Sequence, residues 1–276
     1  MTEEELYEFD RVGYIVIKDM LNPDQVASLS TAVDWIEDHA AANVDLPPRK
    51  KSPWGAEYHA DPDFGYHVQG ERAEGKTIII EDFWNADPAF DQLLDHERTM
   101  DYVRGIVMPR PTINNSEIRI RYKGNNSPHH GGARGEDQKY RYNFTKGRID
   151  CMMVRMIYFI RDNDAAGGAF TVLPGTHKSN LPTPYDPDPD TEPGTVALCV
   201  KAGDAILFTE ALRHGGRTNV SDRVRKTIHV GYGPFWLQSQ NMATMDDPPH
   251  ITEATRSRWS PEQQALFRAW PETLHE

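Results

Sequence analysis

The chain has 276 residues, 38% of them hydrophobic, which suffices for a substantial core in one large domain or two small ones. Its formal net charge of −12 argues against nucleic acid and anionic membranes as partners. No apolar run reaches the ~18 residues of a membrane-spanning helix. The acidic start, MTEEELYEFD, lacks the basic and apolar regions of a secretory signal. Cys151 and Cys199 are the only cysteines and make no disulfide framework, so the expected compartment is a reducing cytoplasm.

Taken in chain order, Thr2 with Glu5 predicts a capping box that opens a short helix ending at Gly13. Tyr14-Ile15-Val16-Ile17 reads as a buried strand. Asn22-Pro23 is an N-cap and first-turn pair, and Val26, Leu29, Val33 and Ile36 recur at helical spacing, predicting an amphipathic helix over 23–40. Residues 41–75 are polar and rich in Pro, Gly and His, and read as loop. Thr77–Ile80 is a strand, and Phe90, Leu93, Leu94, Val103 and Ile106 predict a helix near 87–106. From Glu117 to Lys123 the pattern alternates, with Ile118, Ile120 and Tyr122 on one face and Arg119, Arg121 and Lys123 on the other. Residues 149–161 predict one long apolar strand, and 169–173, 196–200, 204–208 and 226–233 shorter ones. Five prolines make 181–194 a loop insertion, and a last helix opens at Ser260-Pro261-Glu262. Early helices followed by at least seven short strands predict one sandwich or barrel with a helical flank.

Three stretches carry the chemistry. The first is Ser127-Pro128-His129-His130-Gly131-Gly132, two imidazoles beside glycines. The second is Gly167-Gly168-Ala169-Phe170-Thr171-Val172-Leu173-Pro174-Gly175-Thr176-His177-Lys178. The third runs from Gly203-Asp204 through Phe208 to His214-Gly215-Gly216, then Asn219, Arg223 and Arg225. Adjacent histidines alone are more often a hydrogen-bonded pair than a metal site. In this order and spacing, with the opening FDRVGYIVIKDMLNPDQVASL, the stretches resemble the phytanoyl-CoA dioxygenase family of iron(II)/2-oxoglutarate oxygenases, from the N-terminus to about Tyr232.

That resemblance implies a mainly β fold with flanking helices, a double-stranded β-helix or jelly roll. It implies one oxygenase domain over 1–276, with a helical flank to about 45, a jelly-roll core over about 75–235 and a helical tail over about 236–276. It also implies Fe(II), 2-oxoglutarate and O2 as cofactors and cosubstrates. In the family, iron is held by His-x-Asp and a distant His, and an Arg eleven residues past that His binds the cosubstrate's far carboxylate. His214 and Arg225 match the last two. Arg225 suits the role because a guanidinium binds a carboxylate in bidentate fashion. Arg223, Asn219 and Arg121 are further expected cosubstrate contacts. Pro128 places His130 on the proximal ligand, with His129 as the alternative.

Gly132 is the departure, because it stands where the family has Asp, and no shift of frame recovers a carboxylate. Iron/2-oxoglutarate halogenases carry Gly or Ala there, leaving a coordination position that chloride enters. Gly132 therefore points to halogenation of an sp3 C–H, and plain hydroxylation is the alternative, with water in the gap or Glu136 or Asp137 reaching back. A jelly-roll binding protein without catalysis is the third reading. Arg134 is the expected contact for an anionic small-molecule substrate, and Tyr140, Tyr142 and Trp236 are expected pocket aromatics. His177 reads as structural, and the Asp-Pro loop at 186–189 as solvated rather than calcium-binding.

Overall fold

The computed structural model describes residues 1–43, 48–51, 57–132, 141–239 and 248–267. Helix α1 (Glu3–Val12) opens with the predicted capping box, Thr2 accepting from Glu5 N while the Glu5 carboxylate accepts from Thr2 N. Strand β1 (Tyr14–Ile17) and helix α2 (Pro23–Asn43) follow as the apolar spacing requires. The stretch 41–75, read from its polarity as loop, instead contributes strands β2 (Pro48–Lys51), β3 (Glu57–Ala60) and β4 (His67–Gly70), which extend the sheet beyond β5 (Thr77–Glu81). These strands are short and mostly polar, so hydropathy alone does not show them. The helix expected over 87–106 is divided. Pro88–Leu93 is a 3-10 helix capped by Asp87, and α3 (Glu97–Ile106) starts only after the extended His96.

Strand β6 (Pro111–Arg121) is longer than its alternating segment. Strand β7 (Ser127–His130) then makes the Ser-Pro-His-His segment a strand rather than a turn. The long strand expected at 149–161 is also divided. Strands β8 (Tyr142–Thr145) and β9 (Arg148–Cys151) form a separate hairpin, and the chain enters the main sheet only at β10 (Val154–Phe159). The remaining strands are β11 (Phe170–Val172), β12 (Val196–Leu198), β13 (Ala205–Thr209), β14 (His214–Gly216) and β15 (Arg225–Pro234). Helices α4 (Glu253–Ser257) and α5 (Pro261–Gln264) close the described chain, the second under a Ser260–Gln263 capping box. No helix among the described residues is long and apolar enough to cross a membrane.

The strands form a nine-stranded sheet, β1-β13-β10-β15-β6-β5-β4-β3-β2, and a four-stranded sheet, β12-β11-β14-β7. Alternation along the central strands sorts two cores. Val154, Met156, Tyr158, Ile118, Ile120, Ile228, Val230 and Tyr232 pack against the helices. Ile157, Phe159, Ile206 and Phe208 pack against Phe170, Val172 and Leu212 between the sheets. Each such fully buried side chain stabilises the fold by ~1.5–3 kcal/mol. On β6 and β15 the inward face changes character and carries Glu117, Arg119, Arg121, Arg225, Thr227 and His229. The space between the sheets is therefore apolar at one end and lined by buried charge at the other, and the charged end is where the histidines meet.

Candidate active site

His130 and His214 lie directly opposite one another in the antiparallel pair β7–β14. Residues opposite one another on paired strands share a face, and the two rings stand 4.1 Å apart between centroids. The His214 Nδ1 donates to Leu212 O at 2.7 Å, since a carbonyl only accepts. That tautomer leaves the Nε2 lone pair free, as a metal ligand requires. Burial, and then the neighbouring His130, drives the pKa of His214 well below that of a free histidine, and desolvation of its ring lowers that of His130, although the residue as a whole is exposed.

A carboxylate joins them from an unexpected place. Glu210 lies just past the end of β13, four residues before His214. Its oxygen and one nitrogen from each of His130 and His214 all lie within 4.8 Å of one another. Burial alone would raise the Glu210 pKa. The charge of Arg155 and its hydrogen bond outweigh it and hold the group well below the ordinary carboxyl range. The Arg155 Nε donates to Glu210 Oε1, so this ligand candidate is ionised and oriented by a buried cation.

The same turn accounts for the glycines. Gly131 and Gly132 have φ of +77° and +81°, and the Gly132 N–H donates to Ala211 O at 2.9 Å. A Cβ on Gly131 would lie 2.8 Å from Leu212 O, and one on Gly132 would lie 2.4 Å from the Arg213 Cβ. The 210–213 turn that delivers Glu210 thus fills the space a side chain at residue 131 or 132 would need. His129 points the other way. Its side chain is fully buried, with Nδ1 at 2.7 Å from Glu192 Oε2 and Nε2 at 2.8 Å from Thr171 Oγ1, so both ring nitrogens are committed. Glu192 also accepts from Arg213 Nε at 2.7 Å, which pins the proline-rich loop beside the site.

Arg121 and Arg225 stand opposite each other on β6 and β15, both buried. The Arg225 Nη1 donates to Gly168 O at 2.8 Å, but Arg225 Nε and Arg121 Nη1 have no partner among the described residues. A Cβ on Gly216 would lie 3.0 Å from the Nη1 of each, so the two guanidiniums converge on one point. Burial lowers the pKa of both, with the Arg225 charge next in importance for Arg121. Among the described residues no carboxylate is bonded to either guanidinium, and their unpartnered nitrogens fit a carboxylate of the cosubstrate. His229 lies among them. Burial and then Arg119, Arg155, Arg225 and Arg121 keep it neutral.

Other expected site residues are placed elsewhere. Arg223 precedes β15, so strand alternation does not reach it; it is exposed and ion-paired to Asp164 at 2.6 Å. Asn219 is buried but braces its own turn, donating to Arg223 O and accepting from Ser221. The Tyr142 hydroxyl donates to Asp10, and its ring packs on His177 beneath α1, away from the histidine pair. Trp236 is half-exposed beyond β15. Arg134, Glu136, Asp137 and Tyr140 lie outside the described residues. His177 is buried and its Nε2 donates to Asp10 O at 3.0 Å. Glu210, Arg155 and Glu117 went unnoticed in the sequence, although a Glu at the end of an apolar strand, four residues before a histidine, was a readable signal.

A jelly roll holding two histidines, a carboxylate and a buried arginine pair between its sheets defines a class, the non-haem iron and 2-oxoglutarate oxygenases. A profile of the phytanoyl-CoA dioxygenase family matches residues 9–227, and the chain belongs to that family, whose members are iron(II)/2-oxoglutarate-dependent dioxygenases. It is 25% identical over 253 residues to the ectoine dioxygenase of Sphingopyxis alaskensis, covering 81% of this chain and 73% of that one. Among solved structures it is similar to HygX from Streptomyces hygroscopicus with nickel and 2-oxoglutarate bound, with TM-score 0.68, 23% identity and coverage of 87% and 89% of the two chains. The carbocyclase SnoK of nogalamycin biosynthesis matches with TM-score 0.58 and 16% identity, over 95% and 92% of the chains. These structural likenesses bear on the fold.

Proposed function

We propose that this enzyme inserts oxygen at an unactivated sp3 C–H of a small molecule, with His130, Glu210 and His214 as the protein ligands of iron. The observation that carries the reading is the ionised Glu210 beside the two imidazoles, a donor set of two nitrogens and one oxygen that suits Fe(II). Bound iron with 2-oxoglutarate and O2 supplies the oxidising chemistry. The chain's own residues do the rest: Arg225 and Arg121 take the far carboxylate of 2-oxoglutarate, Arg155 aims Glu210, and neutral His229 fills the space between them without adding charge. Within this reading His130, rather than His129, is the proximal ligand, because both His129 nitrogens are already used.

Halogenation was the attraction of Gly132, since an empty ligand position admits chloride. With Glu210 as third ligand that position is filled, and the backbone and packing at Gly132 account for the glycine without a halide. The anionic substrate expected from Arg134 rests on a residue outside the described ones, while Arg119 and Arg155 already hold carboxylates and Arg121 and Arg225 are assigned to the cosubstrate. Unpaired Cys151 and Cys199 fit a reducing compartment such as the cytoplasm.

The test is anaerobic addition of Fe(II) and 2-oxoglutarate. Wild type should develop the visible charge-transfer band of the class, and His130→Ala, His214→Ala and Glu210→Ala should each lose it. Product formed at saturating chloride should gain oxygen and no chlorine. A wild-type protein without the band sinks the oxygenase site. A Glu210→Ala protein that keeps the band, or a chlorinated product, sinks the role given to Glu210.

A further inference from the structure

Strand β6 carries, two residues apart on the face that looks into the site, two buried acceptor atoms that no donor among the described residues meets. Glu117 is 1% exposed and Asn115 is 6% exposed. Both cations near Glu117 fall on the same oxygen, Arg119 Nε at 2.5 Å and Arg155 Nη1 at 3.7 Å from Oε1. Oε2 has no hydrogen-bond partner among the described residues, and neither has Asn115 Oδ1. Each buried acceptor left without a donor costs ~1–3 kcal/mol, and more for a charged group, so two of them on one face call for a ligand that brings donors.

Register ties this pair of acceptors to the metal cluster. Asn115 lies opposite Gly231, and Gly231 lies opposite Arg155, whose Nε holds Glu210. Gly231 has no side chain to separate them, and a Cβ there would come within 2.8 Å of Asn115 Oδ1. Glu117 lies opposite His229 on one side and Glu81 on the other. A carboxylate oxygen only accepts, so whatever meets Glu117 Oε2 must bring an N–H or O–H, and a charged donor makes the stronger bond. The arginines on the same face cannot serve an anion in its place, since Arg119 and Arg155 are held by Glu117 and Glu210.

We propose that Glu117 and Asn115 receive the substrate, and that the substrate carries a protonated amine, its ammonium on Glu117 Oε2 and a neighbouring N–H or O–H on Asn115 Oδ1. This rests on the oxygenase reading, because it places the substrate beside the metal cluster assigned there.

The experiment uses the full chain loaded with Fe(II) and 2-oxoglutarate, and reads the rise in succinate formation over the rate without added probe. The probes are matched in shape and differ in charge: glucosamine against glucose and glucuronate, and cyclohexylamine against cyclohexanol and cyclohexanecarboxylate. The amines should stimulate at least about 10-fold more than their neutral and anionic counterparts. Glu117→Gln should weaken the apparent affinity for the stimulating amine by about 10- to 100-fold, and Asn115→Ala by about 5- to 10-fold, as expected for loss of a charged and of a neutral hydrogen bond. No preference for the amine within either set, an absence of stimulation included, overturns the proposal. So do variants that bind the amine as wild type does. If both variants lose the charge-transfer band, the residues hold up the site rather than receive substrate, which also overturns it. Absence of the band in wild type is a different failure, that of the oxygenase reading itself.

Discussion

Gly132 separates the two accounts of this site most sharply, and Gly132→Asp tests them. If the glycine marks a vacated ligand position, an aspartate should restore a ligand and be tolerated. The geometry says otherwise. A non-glycine residue at φ +81° costs ~1–2 kcal/mol. The new Cβ would also sit 2.4 Å from the Arg213 Cβ, an atom fixed by its own backbone. Relief of such an overlap in a packed region costs a further ~1–3 kcal/mol. The chain cannot easily swing away, because the Gly132 N–H is bonded to Ala211 O. The sum, ~2–5 kcal/mol, corresponds to a fall in Tm of roughly 3–9 °C for a chain of this size. Urea unfolding of metal-free wild type, Gly132→Ala and Gly132→Asp measures it. The alanine variant should show most of the loss, since the cost lies in the Cβ and the backbone angle rather than in the charge. The double variant Gly132→Asp/Glu210→Ala should not recover iron binding. A Gly132→Asp protein within about 0.5 kcal/mol of wild type, with iron binding rescued in the double variant, would refute the packing account and return Gly132 to the ligand position.

Other outcomes follow from single residues. Arg225→Met should weaken 2-oxoglutarate binding by about 100-fold and Arg121→Met by about 10-fold, whereas Arg223→Ala, an exposed ion-pair partner, should stay within about twofold; titration of the visible band reads all three. His129→Ala should keep that band, yet lose ~1–3 kcal/mol of stability by stranding buried Glu192 and Thr171; loss of the band with stability unchanged would make His129 the ligand. His177 is held near pKa 4 by burial, below the ordinary 6.5. The unfolded chain therefore takes up this proton first, and the stability that neutral His177 contributes is complete above pH 6.5 and is lost as pH falls towards 4, by ~3 kcal/mol. His177→Gln should flatten that part of the stability–pH curve, and an unchanged slope between pH 6.5 and 4 would show the group to be titrating freely.

The parts of the fold that were legible in the sequence are those with a single strong period. The alternation of Ile118 and Ile120 against Arg119 and Arg121 identified β6 and its faces, because one face meets the helices and the other the site, whereas Tyr122 and Lys123 lie past the strand and Lys123 is exposed and paired with Asp222. The capping box at Thr2 and the helix start at Ser260 were legible because the hydrogen bonds of a helix N-terminus are local. Strands β2 to β4 were not, because their pairing comes from the edge offered by β5 rather than from their own hydropathy. The division at Met152-Met153 was hidden for the opposite reason. Apolar residues continue through it, and only tertiary context moves the chain from the hairpin to the sheet.

At the site, sequence spacing singled out His130, His214 and Arg225, the two histidines that the structure sets opposite each other and the arginine that it buries. It could not locate the carboxylate, because a ligand is defined by where its oxygen arrives and not by its distance along the chain from a histidine. Residue 132 is two residues from His130 in sequence, but its side chain would be driven into Arg213. Glu210 is eighty residues away in sequence, and the turn into β14 brings it to the same point. The two facts have one cause. The turn over residues 210–213 that presents Glu210 also occupies the space beside Gly131 and Gly132, so a side chain at residue 132 and a carboxylate from residue 210 exclude each other. On the proposed ligand set, the glycine in the His-x-Asp position is accounted for by packing, since Ala211 O accepts from the Gly132 N–H and Leu212 and Arg213 occupy the space beside Gly131 and Gly132.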